Sequence, residues 1–134
     1  MRMFLISWLA VAIVMLPLDF VWLKSMRWFY EQQMGDMLLA QPRMWIAGIF
    51  YLVLAAAIAF FAVMPNRDQP SWLVVAGYGA FLGLAAYGTY DATNHATLKN
   101  FPLAVMVVDW VWGTLLCAVS ATVAWRIMLA LRIA

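Results

Sequence analysis

Four long apolar stretches, separated by short polar segments, set the pattern of this chain. Residues 3–23 are apolar except for Ser7 and Asp19. Residues 44–64 and 71–90 hold no charged side chain, and residues 103–125 hold one, Asp109. A run of about 20 apolar residues is what an α-helix needs to cross the hydrocarbon core of a bilayer. The pattern therefore predicts four spans. The first run follows Arg2, as a secretory signal would. It is too long for one, however, and Trp22, Leu23 and Lys24 stand where a small-residue cleavage site belongs, so it reads as a retained span. Pro17 removes a backbone donor inside it and is expected to bend the helix about a turn before Asp19.

The polar segments predict the connections. Residues 24–43 carry Lys24, Arg27, Glu31, Gln32, Gln33, Asp36, Gln41 and Arg43, with Trp28, Phe29, Tyr30, Met34, Met37, Leu38 and Leu39 among them at roughly helical spacing. That pattern suits a short amphipathic helix in the membrane interface, interrupted at Gly35 and closed at Pro42. Residues 65–70 form a tight turn between Pro65 and Pro70, and residues 91–102 a second polar connection. Gly79 and Gly83 stand in GxxxG spacing on the third run, where small residues let helices approach closely.

These elements predict an all-α fold. It is a four-helix transmembrane bundle running up-down-up-down, with a short interfacial helix between spans one and two, forming a single transmembrane domain over residues 1–134. Both termini then lie on one side. Trp8, Trp72 and Trp125 fall near that side and Trp22, Trp28 and Trp45 near the other, as two aromatic belts would. Arg2, Arg67, Arg126 and Arg132 on the termini side balance Lys24, Arg27, Arg43 and Lys99 on the other. The arginines flanking the first and last spans tip the orientation towards termini in the cytoplasm.

Composition narrows the class. Hydrophobic residues make up 68% and charged residues 10% of 134, with a mean hydropathy of +0.91. The composition argues against an ordinary water-soluble globule and excludes a disordered chain. The net charge is +2 with the basic residues scattered singly, which argues against a nucleic-acid partner. The single cysteine, Cys117, permits no internal disulfide and reads as a packing residue.

The candidate chemistry lies in the acids. Asp19, Glu31, Asp36, Asp91 and Asp109 all fall on the side opposite the termini, and only Asp68 does not. Asp109 lies two turns into the fourth run, ~10 Å deep at 1.5 Å per residue. Three carboxylates from three helices thus reach similar depth near one face. An acid at the centre of a span costs ~2.5–3.5 kcal/mol, less off-centre, and needs a partner or water. Lys99, His95, Asn94, Thr93, Thr97, Tyr87, Tyr90 and Thr114 are candidates. Two readings stay open: a polar site that takes a cation, a proton or a polar headgroup, or acids that bond to tyrosines, indoles and backbone as interhelical glue. Asp19–Trp22 and Asp109–Trp112 share the spacing Asp-x-x-Trp, which sets each indole beside its own aspartate and marks either a pseudo-symmetric pair or a coincidence. The lone His95 builds no metal site by itself, although Asp91 four residues earlier joins it if this stretch is helical. No GxSxG, HExxH, CxxC or P-loop pattern is present, so no reaction or cofactor is specified.

The block Tyr87, Gly88, Thr89, Tyr90, Asp91, Ala92, Thr93, Asn94, His95, Ala96, Thr97, Leu98 and Lys99, followed by Phe101–Leu103 and Val108–Thr114, resembles the membrane-protein family called domain of unknown function 2177. Leu18, Asp19, Trp22 and Leu23, with Phe29–Tyr30 and Phe50–Tyr51, resemble its earlier markers. His95 and Trp110 depart from the pattern. The resemblance implies a small four-span protein of the bacterial inner membrane and implies no activity. Its matching positions coincide with the polar cluster, giving Asp19, Trp22, Tyr90, Asp91, Thr93, Asn94, Thr97, Lys99, Asp109, Trp112 and Thr114 as candidate ligand-binding residues. In the leading expectation they bind a small amphiphile or a lipid headgroup, with Lys99 as counter-charge and membrane lipid as partner. In the other, the protein is an accessory subunit of a larger respiratory or photosynthetic complex, docked through Phe50, Tyr51, Phe60 and Phe61; a homo-oligomer is a separate partner expectation.

Overall fold

A computed structural model describes residues 1–131. Arg132, counted above for orientation, lies outside the described residues. The chain forms α1 (Arg2–Ser25), α2 (Arg27–Met34), α3 (Met44–Ile58), α4 (Trp72–Thr97) and α5 (Leu103–Ala130), with no strand among the described residues. Four helical segments are long and apolar enough to cross a membrane: α1, α3 with its continuation to Asn66, α4 and α5. They form the expected four-helix bundle.

The element boundaries have local causes. The backbone stays helical through Pro17, from Arg2 to Ser25. α2 stops at Gly35, whose φ of +53° lies in a region glycine enters without steric cost. α3 widens into a π-helical stretch over Ala59–Val63, followed by a short 3₁₀ turn. Pro65, which has no N–H to give to a carbonyl one turn back, sits in that turn. There Asn66 Nδ2 donates to the Ala62 carbonyl at 2.9 Å.

Two spans outrun their expected ends. α4 continues to Thr97 rather than stopping at residue 90, and α5 runs to Ala130 rather than 125. In α4, the Thr89 and Thr97 hydroxyls donate to carbonyls four residues back, at 2.6 and 2.7 Å. These polar side chains are thereby absorbed into the helix instead of opening it. The expected polar connection shrinks to a few residues, in which Asn100 adopts φ 64° and Pro102 precedes the first turn of α5.

The helices meet on Val11, Met15, Ile58, Val63, Val75, Leu116 and Cys117, all essentially inaccessible. The outer surface is apolar as well, with Phe20, Val53 and Phe81 exposed, a surface that suits lipid rather than water. α4 and α5 pack most closely, along the glycines. A Cβ on Gly79 would stand 2.6 Å from the Cys117 carbonyl oxygen, and one on Gly83 2.5 Å from that of Gly113. The GxxxG pair is therefore where the two backbones touch.

The tryptophans of the two expected belts differ in burial. Trp28, Trp45 and Trp72 are exposed. Trp125 turns inward, donating to the Arg67 carbonyl at 3.3 Å, and Trp8 donates to the Leu52 carbonyl at 3.0 Å. An indole N–H that turns away from water takes a carbonyl as its partner.

Candidate functional site

Asp19, near the C-terminal end of α1, is 4% exposed. Two aromatic tips supply its donors. Trp112 Nε1 on α5 donates to Oδ1 at 2.9 Å, and the Tyr51 hydroxyl on α3 donates to Oδ2. Asp109, on α5, accepts from the Tyr30 hydroxyl at 2.8 Å, and that hydroxyl in turn accepts from Trp22 Nε1 at 3.1 Å. The short helix α2 lies outside the spans yet delivers Tyr30 to a carboxyl inside one. Burial first, and the adjacent Asp109 charge second, push the Tyr30 phenol well above its ordinary value of 10.0. It therefore stays a donor.

The two Asp-x-x-Trp segments form a crossed pair. The tryptophan of the α5 segment bonds the aspartate of the α1 segment, while the tryptophan of the α1 segment reaches the aspartate of the α5 segment through Tyr30. Between them Trp22 and Trp112 stack face to face, with centroids 4.3 Å apart and planes 4° from parallel. Each indole thus serves the opposite helix rather than the aspartate beside it. Aromatic pairing of this kind adds ~0.5–1.5 kcal/mol beyond area burial.

Asp91, on α4, is different. Its side chain is wholly buried, and neither carboxyl oxygen has a hydrogen-bond donor from the protein among the described residues. Its carboxyl group approaches that of Asp109. Two other buried oxygens lack partners, the hydroxyls of Ser7 and Ser120. These are neutral, and they lie ~18 and ~16 Å along their helices from Asp19 and Asp109 at 1.5 Å per residue. Tyr87 completes the interior side of the cluster. Its ring lies against Gly113, where a Cβ would come within 2.0 Å of it, and it stands within electrostatic reach of Asp19 and Tyr51.

The geometry is that of a membrane-embedded polar knot in an apolar bundle, and the family match agrees. The family described as Predicted membrane protein (DUF2177) matches residues 4–126. The chain belongs to this family. No curated protein and no solved structure matches it. It is a multi-pass membrane protein with four apolar helices.

The structure brings together Asp19, Trp22, Asp91, Asp109 and Trp112 of the residues singled out from the sequence. Tyr90 borders the cluster, edge-on to Phe101 with centroids 6.2 Å apart, and Asn94 lies beside it. Thr93, Thr97 and Lys99 are exposed at the end of α4. Thr97 and Thr114 spend their hydroxyls on backbone carbonyls of their own helices. Lys99 forms no ion pair among the described residues, so the structure supplies no counter-charge there. His95 lies in the last turn of α4, its Nδ1 2.9 Å from the Phe101 carbonyl oxygen, and it ties the helix end to the connection that follows. No three potential metal-ligating side chains gather among the described residues.

Tyr30 and Tyr51 went unrecognised as site residues. The sequence groups Tyr51 with Phe50, Phe60 and Phe61 as aromatics for an outer contact. Those three are indeed exposed, but Tyr51 turns inward to Asp19. A phenol inside an otherwise apolar run needs a partner for its hydroxyl, and that was the available signal.

Proposed function

We propose that this is a bacterial inner-membrane protein that binds the polar head of a small amphiphile or membrane lipid in the carboxylate cluster. The observation that carries the reading is the asymmetry among the acids. Asp19 takes donors on both oxygens and Asp109 on one, all from aromatic tips, whereas Asp91 takes none. Leaving a buried polar group unpaired costs ~1–3 kcal/mol, and more for a charged one. A cluster that stabilises two acids and leaves the third without donors is organised to interact with something outside the chain. A head bearing hydroxyl or ammonium groups supplies the missing donors. The half-exposed Tyr90 and the stacked indoles form an aromatic wall of the kind that sits at headgroup depth.

Mass spectrometry of lipid retained by the purified protein tests the reading. Asp91→Asn gives residue 91 its own N–H donors towards Asp109, and we expect the retained amphiphile to fall at least tenfold. The same lipid at the same occupancy in wild type and Asp91→Asn would overturn the reading. The accessory-subunit reading gains nothing specific. The exposed faces of Phe50, Phe60 and Phe61 are as well explained by contact with acyl chains.

A further inference from the structure

We infer that Asp91 and Asp109 hold one proton between them, carried on Asp91 and donated to Asp109, so that the pair is a built-in proton-binding site. Three observations carry this. Asp91 is wholly buried and neither of its oxygens has a donor, so as an anion it would be a buried charge without compensation. A carboxyl group in that position becomes neutral instead. Its neighbour in the cluster is another carboxyl, Asp109, and two neighbouring acids do not both ionise readily. The environment also decides which acid keeps the charge. Asp109 receives the Tyr30 hydroxyl on Oδ1, and a donated hydrogen bond favours the ionised form. As the anion, Asp109 is the acceptor for the proton of Asp91.

The other groups facing the pair are consistent with one shared proton. Tyr30 from α2 and Tyr90 on α4 are neutral phenols in its field. On the α1 and α3 side, Asp19 is engaged with Trp112 and Tyr51. Among the described residues no lysine or arginine forms an ion pair with either acid. The pair therefore has a charge of −1 with no cation to balance a second negative charge. The inference starts from the same donor-less Asp91 as the head reading but is tested separately from it, because the proton is readable in protein stripped of lipid.

Infrared difference spectroscopy of the delipidated full chain at neutral pH, in light and heavy water, tests it. We expect a carboxylic-acid C=O band that shifts on deuteration, disappears in Asp91→Asn and survives in Asp36→Asn, an exposed control. Should Asp91→Asn fail to fold, Tyr30→Phe answers the same question. It removes the donor from Asp109 without touching either acid, makes Asp109 a stronger acceptor and should shift the band. A wild-type spectrum with no carboxylic-acid band would overturn the inference. So would a band that persists in Asp91→Asn or stays in place in Tyr30→Phe. Loss of lipid retention with the band intact would leave the proton site standing and remove only the head-binding reading.

Discussion

A carboxylate inside a helical bundle needs donors, and Asp19 has two, Tyr51 Oη and Trp112 Nε1. Removing the phenol oxygen with Tyr51→Phe leaves one acid oxygen unpaired, which should lower stability by ~1–3 kcal/mol. The neighbouring Phe50→Leu changes only the exposed face and should stay within ~0.5 kcal/mol. Unfolding in mixed detergent compares the two. Tyr30 carries a pH signature of its own. Its phenol is held neutral by burial and by Asp109, while the unfolded phenol ionises near 10.0. The unfolded state therefore sheds a proton first as pH rises. The contribution of Tyr30 is complete below about pH 10 and declines above it. Unfolding followed from pH 8 to 11 should show a fall above pH 10 that is smaller in Tyr30→Phe. The acids themselves were legible in the sequence, because an aspartate in an apolar run stands out. Their donors were not, because Tyr30 and Tyr51 look like ordinary members of an amphipathic or apolar stripe until the fold sets them against a carboxyl.

At the scale of elements, α4 and α5 are joined at glycines whose missing side chains are the contact. Ala at Gly79 or Gly83 would press on a backbone carbonyl, 2.6 or 2.5 Å away, and backbone does not move aside cheaply. Each substitution should cost ~1–3 kcal/mol, the usual range for overpacking. Gly77→Ala meets nothing within 4 Å and should be neutral or slightly stabilising by helix propensity. Thermal unfolding of the three variants separates a packing motif from a mere abundance of glycine. The existence of all four spans was readable from apolar run length alone, since a bilayer fixes the length a helix needs. The ends were less readable. α4 runs seven residues past its expected stop because Thr93 and Thr97 are threaded into the helix by a bond of the Thr97 hydroxyl, which composition presents as a loop signal.

Across the whole molecule, four spans place the start of α1, the end of α5 and the turn near Arg67 on one side, with α2 and the connection near Lys99 on the other. Reporter fusions at residue 134 and insertions near residues 68 and 99 should read same, same and opposite relative to the N-terminus. A discordant insertion near 68 would break the antiparallel threading. That threading is what brings Asp19, Asp91 and Asp109 from three helices to one end of the bundle, and it was foreseeable from span count and the positions of the acids. The crossed indole pair was not, because sequence spacing sets each tryptophan beside its own aspartate and says nothing about the helix opposite. A density map of the protein in native lipid tests the central claim most directly. The account predicts non-protein density of headgroup size beside Asp91, in contact with the Tyr90 and Trp22 side of the cluster. Carboxyl groups turned apart towards acyl chains, with no such density between them, would contradict it.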